Sequence, residues 1–121
     1  MSHAIKFEYR VKRPKLLENN VFVLYSPQRL KFEPGEKKIV DMKLKIQLNT
    51  RASCRLLFQL SNAGLELQNS NYLSGPDTDL HLEILNSSMT QTIEIKRQGE
   101  IGYFIPEYTQ SEIKYEYVKL D

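Results

Sequence analysis

Two histidines, one cysteine and fifteen acidic residues include the side chains that most often ligate a metal or move a proton, and their spacing assembles neither chemistry. His3 stands near the N-terminus and His81 on the polar side of an alternating stretch, and neither has a cysteine or glutamate at ligand spacing. Cys54 opens the run CRLLFQL and reads as a small buried hydrophobe rather than a reactive thiol; a lone cysteine also cannot close an intrachain disulfide. No phosphate-binding P-loop or nucleophile elbow is present. Asp77 and Asp79, in SGPDTD, read as solvent-exposed loop caps. Asn86-Ser87-Ser88 matches a glycosylation sequon, which matters only for a secreted chain. No catalytic, cofactor-binding or metal-binding residue is assigned, and no cofactor is expected.

The other chemically suggestive feature is basic. Lys6, Arg10, Lys12, Arg13 and Lys15 lie within ten positions and are opposed only by Glu8, so RVKRPK reads either as an import or polyanion-binding patch or as the wet face of a strand. Three of the bases alternate with Ile5, Phe7, Tyr9 and Val11, which favours the strand. With a net charge of +2 there is little long-range steering toward nucleic acid, which is not an expected partner.

The elements that must position these groups are strands. Residues 4 to 12 alternate with period two, and Pro14 ends the pattern. Val21 to Tyr25 is an apolar run too short for a helix, as in a strand buried on both faces. Leu30 and Phe32 lead into Glu33-Pro34-Gly35-Glu36, a tight reversal in which Pro fixes φ and Gly supplies the positive φ that follows. Val40, Met42, Leu44, Ile46 and Leu48 then alternate with polar residues in the cleanest strand of the chain. Further strands are expected over Cys54 to Leu60, Leu65 to Leu67, Leu80 to Ile84, Ile93 to Ile95 and Ile101 to Ile105, with turns at 61–64, 86–90 and 98–99 and a polar loop from Asn69 to Asp79. Near the end Ile113, Tyr115 and Tyr117 alternate with Lys114 and Glu116, a pattern suited to adding a strand to the sheet of a neighbouring subunit or partner.

Many short strands without helical periodicity predict an all-β sandwich or barrel. At 121 residues the chain is one domain, large enough to bury roughly two-thirds of its unfolded surface without a staple. Its N-terminal strand with the basic residues spans 1–15 and its C-terminal strand-like arm spans 107–121. Apolar residues at 40 % and charged residues at 26 %, with no run of about 18 apolar residues, argue against a spanning helix, and no secretory leader is visible. The expected location is inside a cell.

The stretch Val21 to Leu48 resembles the opening of the trimeric dUTPase family, in which Ala-Gly-x-Asp-Leu, a small or aromatic residue and Ser precede a Pro-Gly-Glu turn and an alternating strand. Leu24, Tyr25, Ser26, Pro34, Gly35 and Glu36 fit that pattern, while Val23 stands where the family has its metal-supporting Asp. The resemblance runs over roughly residues 20 to 107 and loses chemistry at each further motif. Gln59, Leu60 and Ser61 occupy the place of the phosphate-gripping Arg-Ser-Gly. Gly75, Pro76 and the residues after them replace the water-orienting Asp and the deoxyribose-stacking Tyr, with Tyr72 just upstream. Asn86 keeps its place, Gln98-Gly99-Glu100 replaces Gly-Asp-Arg, and the glycine-rich arm is absent.

The resemblance therefore implies a dUTPase-like jelly roll or β-barrel that has kept the family's frame and lost its hydrolytic residues: a pseudoenzyme, not an enzyme. Similar dUTPase-related proteins of large DNA viruses work as adaptors. The implied role is a protein–protein interaction module in the cytoplasm or nucleus of an infected host cell. It is expected to be homotrimeric, with Val40 to Leu48 contributing to a shared interior. A virion component such as a capsid decoration or matrix subunit is the alternative, and a divergent nucleotide-binding or dUTP-hydrolysing enzyme the third reading. No membrane is expected, and a C-terminal Asp121 does not suit PDZ-type grooves.

Overall fold

A computed structural model describes residues 5–48, 55–73, 77–107 and 114–120. They form twelve strands and, among the described residues, no helix. In chain order these are β1 (Ile5–Tyr9), β2 (Lys15–Leu16), β3 (Phe22–Tyr25), β4 (Leu30–Phe32), β5 (Lys37–Leu48) and β6 (Arg55–Leu60). The second half supplies β7 (Leu65–Leu67), β8 (Tyr72–Leu73), β9 (Thr78–Asn86), β10 (Ile93–Ile95), β11 (Glu100–Glu107) and β12 (Tyr115–Lys119). Two five-stranded sheets, ordered β12-β1-β5-β9-β7 and β2-β3-β11-β6-β8, enclose the core, and β10 pairs with β4 in a small third sheet. The protein is a single all-β domain; its described strands end in free edges and do not close into a barrel.

Period-two patterning explains the layers. On β5 the side chains of Val40, Met42, Leu44, Ile46 and Leu48 are all at most 7 % exposed, while Ile39 on the opposite face is 67 % exposed. The other sheet answers with Phe22, Leu24, Leu56, Phe58 and Phe104, with Phe58 and Phe104 edge to face at 5.4 Å. The expectation that Val40 to Leu48 serve an interior shared between subunits does not hold, because this row is consumed by the chain's own core.

Two strands depart from ideal pairing. On β5 the register against β9 shifts between Asp41 and Lys45, with Lys43 at φ 54° and its N–H donating to the Asp41 carboxylate at 3.0 Å. On β11 the register against β3 shifts between Glu100 and Gly102, so that Ile101 and Gly102 are both buried. A Cβ on Gly102 would lie 2.5 Å from both the Gln59 carbonyl and the Phe58 ring, which is why a glycine sits there. The first strand is also shorter than its alternation suggests. It stops at Tyr9, leaving Val11 half-buried on the crossing that carries the chain to β2 in the other sheet.

Buried Asn86 joins the turns. Its side-chain amide donates to the carbonyls of Phe32 (3.1 Å), Glu33 (3.2 Å) and Gln91 (2.8 Å), and its side-chain carbonyl accepts from the Ser88 N–H at 3.0 Å. The Glu33-Pro34-Gly35-Glu36 reversal closes against the same residue: Gly35 N–H donates to the Asn86 carbonyl and Asn86 N–H to that of Glu36. Gly35 has φ +74° with open space around it, so a side chain there meets only backbone strain. Asn86→Ala leaves the buried Phe32 carbonyl and the part-buried carbonyls of Glu33 and Gln91 without this donor and should lower stability by about 3 kcal/mol, while Gly35→Ala should cost about 1 kcal/mol. Urea unfolding followed by circular dichroism measures both, and equal losses would contradict this hierarchy.

Candidate functional site

Two features that are far apart in the sequence meet in space. The open edge of the sandwich lies between β2 and β12, the last strands of their sheets, and a groove of about 610 Å³ runs there. One wall is the segment Lys12 to Leu16; the other is Tyr115 and Tyr117, with Tyr25 nearby. Arg13 lies 4.9 Å over the Tyr117 ring and Lys12 3.9 Å over that of Tyr25. Lys12, Arg13 and Lys15 are all exposed, and no described acidic side chain pairs with them or lines the groove.

The structure thus divides the basic patch. Lys12, Arg13 and Lys15 face the groove, whereas Lys6 sits between Glu8 (3.5 Å) and Glu116 (3.9 Å) on the outer face of β1 and β12. Arg10 lines a different hollow of mixed charge, together with Asp41, Asp79 and His81. Ile113 lies outside the described residues. Tyr115 and Tyr117 belong to β12, which pairs in parallel with β1 of the same molecule, placing Tyr115 opposite Ile5 and Tyr117 opposite Phe7. That register turns both tyrosines toward the core side. Tyr115 meets Phe22 edge to face at 5.6 Å, and Tyr117 stacks on Phe7 at 5.7 Å. The segment does add to a sheet, and that sheet is the chain's own.

Two of the positions at which the sequence departs from the dUTPase pattern, Val23 and Gln59, come close together. Val23, Tyr103 and Gln59 lie in one row across β3, β11 and β6 on the outer face of their sheet. The Tyr103 hydroxyl donates to Gln59 Oε1 at 2.9 Å, and Ser61 Oγ donates to Glu100 Oε1 at 2.9 Å. Val23 is 7 % exposed, although it faces away from the main core, and Leu60 is half-buried on the inner side. Gly75 and Pro76 lie outside the described residues. Asp77 pairs with Lys45 at 3.4 Å, and the Asp79 carbonyl lies 3.2 Å from His81 Nδ1. Among the described residues no three His, Cys, Asp or Glu side chains converge as a metal site. What the sequence leaves unsaid is that the basic segment and the tyrosine arm form one surface; only the crossing after Tyr9 and the parallel pairing of β12 bring them together.

No protein-family model matches the chain, and no curated protein matches it. The fold and the groove define an all-β sandwich domain with a basic, tyrosine-lined open edge.

Burial pushes the Tyr117 phenol up to about 12; the neighbouring Tyr115 adds to the rise and Arg13 opposes it. An ordinary phenol titrates near 10, so the folded state favours neutral Tyr117. Its contribution is fully present below about pH 10 and is lost as the pH climbs toward 12. Tyr117→Phe should therefore flatten the fall in stability across this window relative to wild type, and denaturant melts at stepped pH compare the two. Parallel curves for both proteins would show that Tyr117 carries no such linkage.

Proposed function

We propose that the chain is a catalytically inactive, dUTPase-like jelly roll that works as a protein–protein interaction module. The observation that carries this reading is the patch formed by Val23, the Gln59–Tyr103 hydrogen bond and the Ser61–Glu100 hydrogen bond. Where the resemblance puts a metal-supporting acid and a phosphate grip, the chain has an isopropyl group, an amide engaged by a phenol and a hydroxyl engaged by a carboxylate. The Glu100 carboxylate repels a triphosphate instead of holding it. Two five-stranded sheets facing each other over one core support the jelly-roll form. By analogy with the dUTPase-related adaptors of large DNA viruses, the proposed setting of this role is the interior of an infected host cell.

With dUTP and Mg²⁺, the purified protein should release no pyrophosphate above background. Turnover near the low end of ordinary enzymes, about 1 per second, overturns the reading.

In the same reading the chain associates with itself as a trimer through a surface other than β5. The outer face of β3, β11 and β6 offers Leu57 and Ile105, both half-buried, directly opposite one another across the strands, with exposed Tyr72 beside Leu57. A charge placed at one of these half-buried positions still reaches water in the single chain and loses it between copies. Ile105→Glu should therefore give a monomer by light scattering with unchanged β-sheet circular dichroism, against a trimer for wild type. A wild-type monomer at micromolar concentration removes the self-association.

A further inference from the structure

We infer that the open edge between β2 and β12 is a docking groove for an extended acidic peptide, which adds as a strand to β12 and presents an acidic side chain at every second position to Lys12, Arg13 and Lys15. This rests on the reading of the chain as an interaction module and names the partner's chemistry.

Two observations choose the occupant. The first is the unpaired backbone of β12. Ile5 N–H donates to the Lys114 carbonyl and Leu120 N–H to the Tyr9 carbonyl, so the even-numbered residues of this segment face β1. In a parallel ladder the odd-numbered ones, Tyr115, Tyr117 and Lys119, then direct their N–H and C=O groups to the free edge. No described residue receives those groups, and β12 has no further neighbour in its sheet. A free edge is a template for another strand, and only a peptide can use it.

The second observation is charge. Three exposed cations line the groove without a described acidic neighbour, and two of them are held over tyrosine rings rather than by carboxylates. An added strand places alternate side chains on the same side of the sheet as Tyr115 and Tyr117, which is the side that faces Lys12 to Lys15. Acids at that spacing meet the cations, and the tyrosine rings supply apolar floor between them. A volume of about 610 Å³ is within the usual range for a bound ligand and accommodates a few side chains. A nucleic acid strand would use the cations and the rings but leave the β12 edge empty, which is why the peptide is favoured.

The test is fluorescence anisotropy with a labelled peptide of about ten residues carrying Glu at every second position and Thr or Val between. Comparison probes are the same peptide with Lys for Glu, the acidic peptide N-methylated along the edge it would present, and an oligothymidylate. Wild-type protein should bind the acidic peptide at least tenfold more tightly than any of the other three. Combined Lys12→Glu, Arg13→Glu and Lys15→Glu should weaken it on the order of tenfold or more. Lys15→Glu alone, whose side chain leaves no ring contact behind, should weaken it in the same direction should the triple variant melt early. Equal binding of the N-methylated peptide, tighter binding of the oligothymidylate, or no effect of charge reversal overturns the inference. Affinity capture separates this failure from that of the parent reading. A charge-reversed protein that keeps every partner of wild type removes the groove and leaves the module, whereas a wild type that holds no partner removes the module.

Discussion

The carboxamide of Asn86 is the interaction on which the arrangement of the sheets depends. It sits where β9 ends, β4 ends and the approach to β10 begins, and it bonds to backbone from each: Phe32, Glu33, Gln91 and Ser88. The bond to the Phe32 carbonyl is buried and those to Glu33, Gln91 and Ser88 are part-buried, and a backbone polar group shielded from water without a partner is costly. A carboxamide serves all four partners with two N–H donors, one of them shared between two of the three carbonyls, and one acceptor oxygen in the same plane. Held there, the Glu33 to Glu36 reversal fixes where β5 starts, and β5 is the long central strand against which β1 and β9 are built. The place of β12 then follows from β1. The chain of dependence runs from an amide at one end of the sandwich to a tyrosine pair at its open edge.

That edge illustrates how a sandwich is completed incompletely. Both sheets place large side chains in the middle and taper outward: β2 contributes two residues, and β12 contributes tyrosines in place of aliphatic side chains. Tyrosine suits such a margin because its ring packs against Phe7 or Phe22 while the side chain as a whole lies at the lip of the groove. Two of the three cations on the facing wall, Lys12 and Arg13, lie over ring faces, where the electron-rich surface holds them without neutralising them. Closure of the core and a polar, charged groove are therefore achieved by the same few side chains.

The strands were legible because burial imposes parity. Alternation on β5 and β9, and the continuous run at β3, each led to the observed element, and the Pro-Gly reversal lies where the residues put it. The irregularities divide by their effect on parity. On β5, four steps from Asp41 to Lys45 lie opposite two steps from His81 to Asp79, and such an even excess leaves the inside/outside pattern intact, so the sequence shows no trace of it. On β11 a single extra residue flips the pattern, and the unbroken run Ile101-Gly102-Tyr103-Phe104-Ile105 shows it. What was illegible was pairing at long range. Nothing in RVKRPK or in KYEYVK states that they face each other, and the burial of Val40 to Leu48 within one chain depends on which sheet lies opposite. Gly75, Pro76 and Ile113 lie outside the described residues.

The parallel union of β1 with β12 also sets an order of events during synthesis. Ile5 leaves the ribosome long before β12 and finds β5 as its antiparallel neighbour, yet its other edge and part of the Phe7 ring wait for Tyr115 to Lys119, more than a hundred residues later. Until then the sheet ends in an exposed, apolar edge of the sort that captures other nascent chains. Because such a non-local pairing is gained only after a long loop has closed, it belongs to the late, slow part of folding. A chain cut short before β12 keeps most of the sandwich and exposes the outer edge of β1, so the addition of β12 moves the free edge of this sheet from an apolar strand to one whose other face carries Glu116 and whose margin is rimmed by cations.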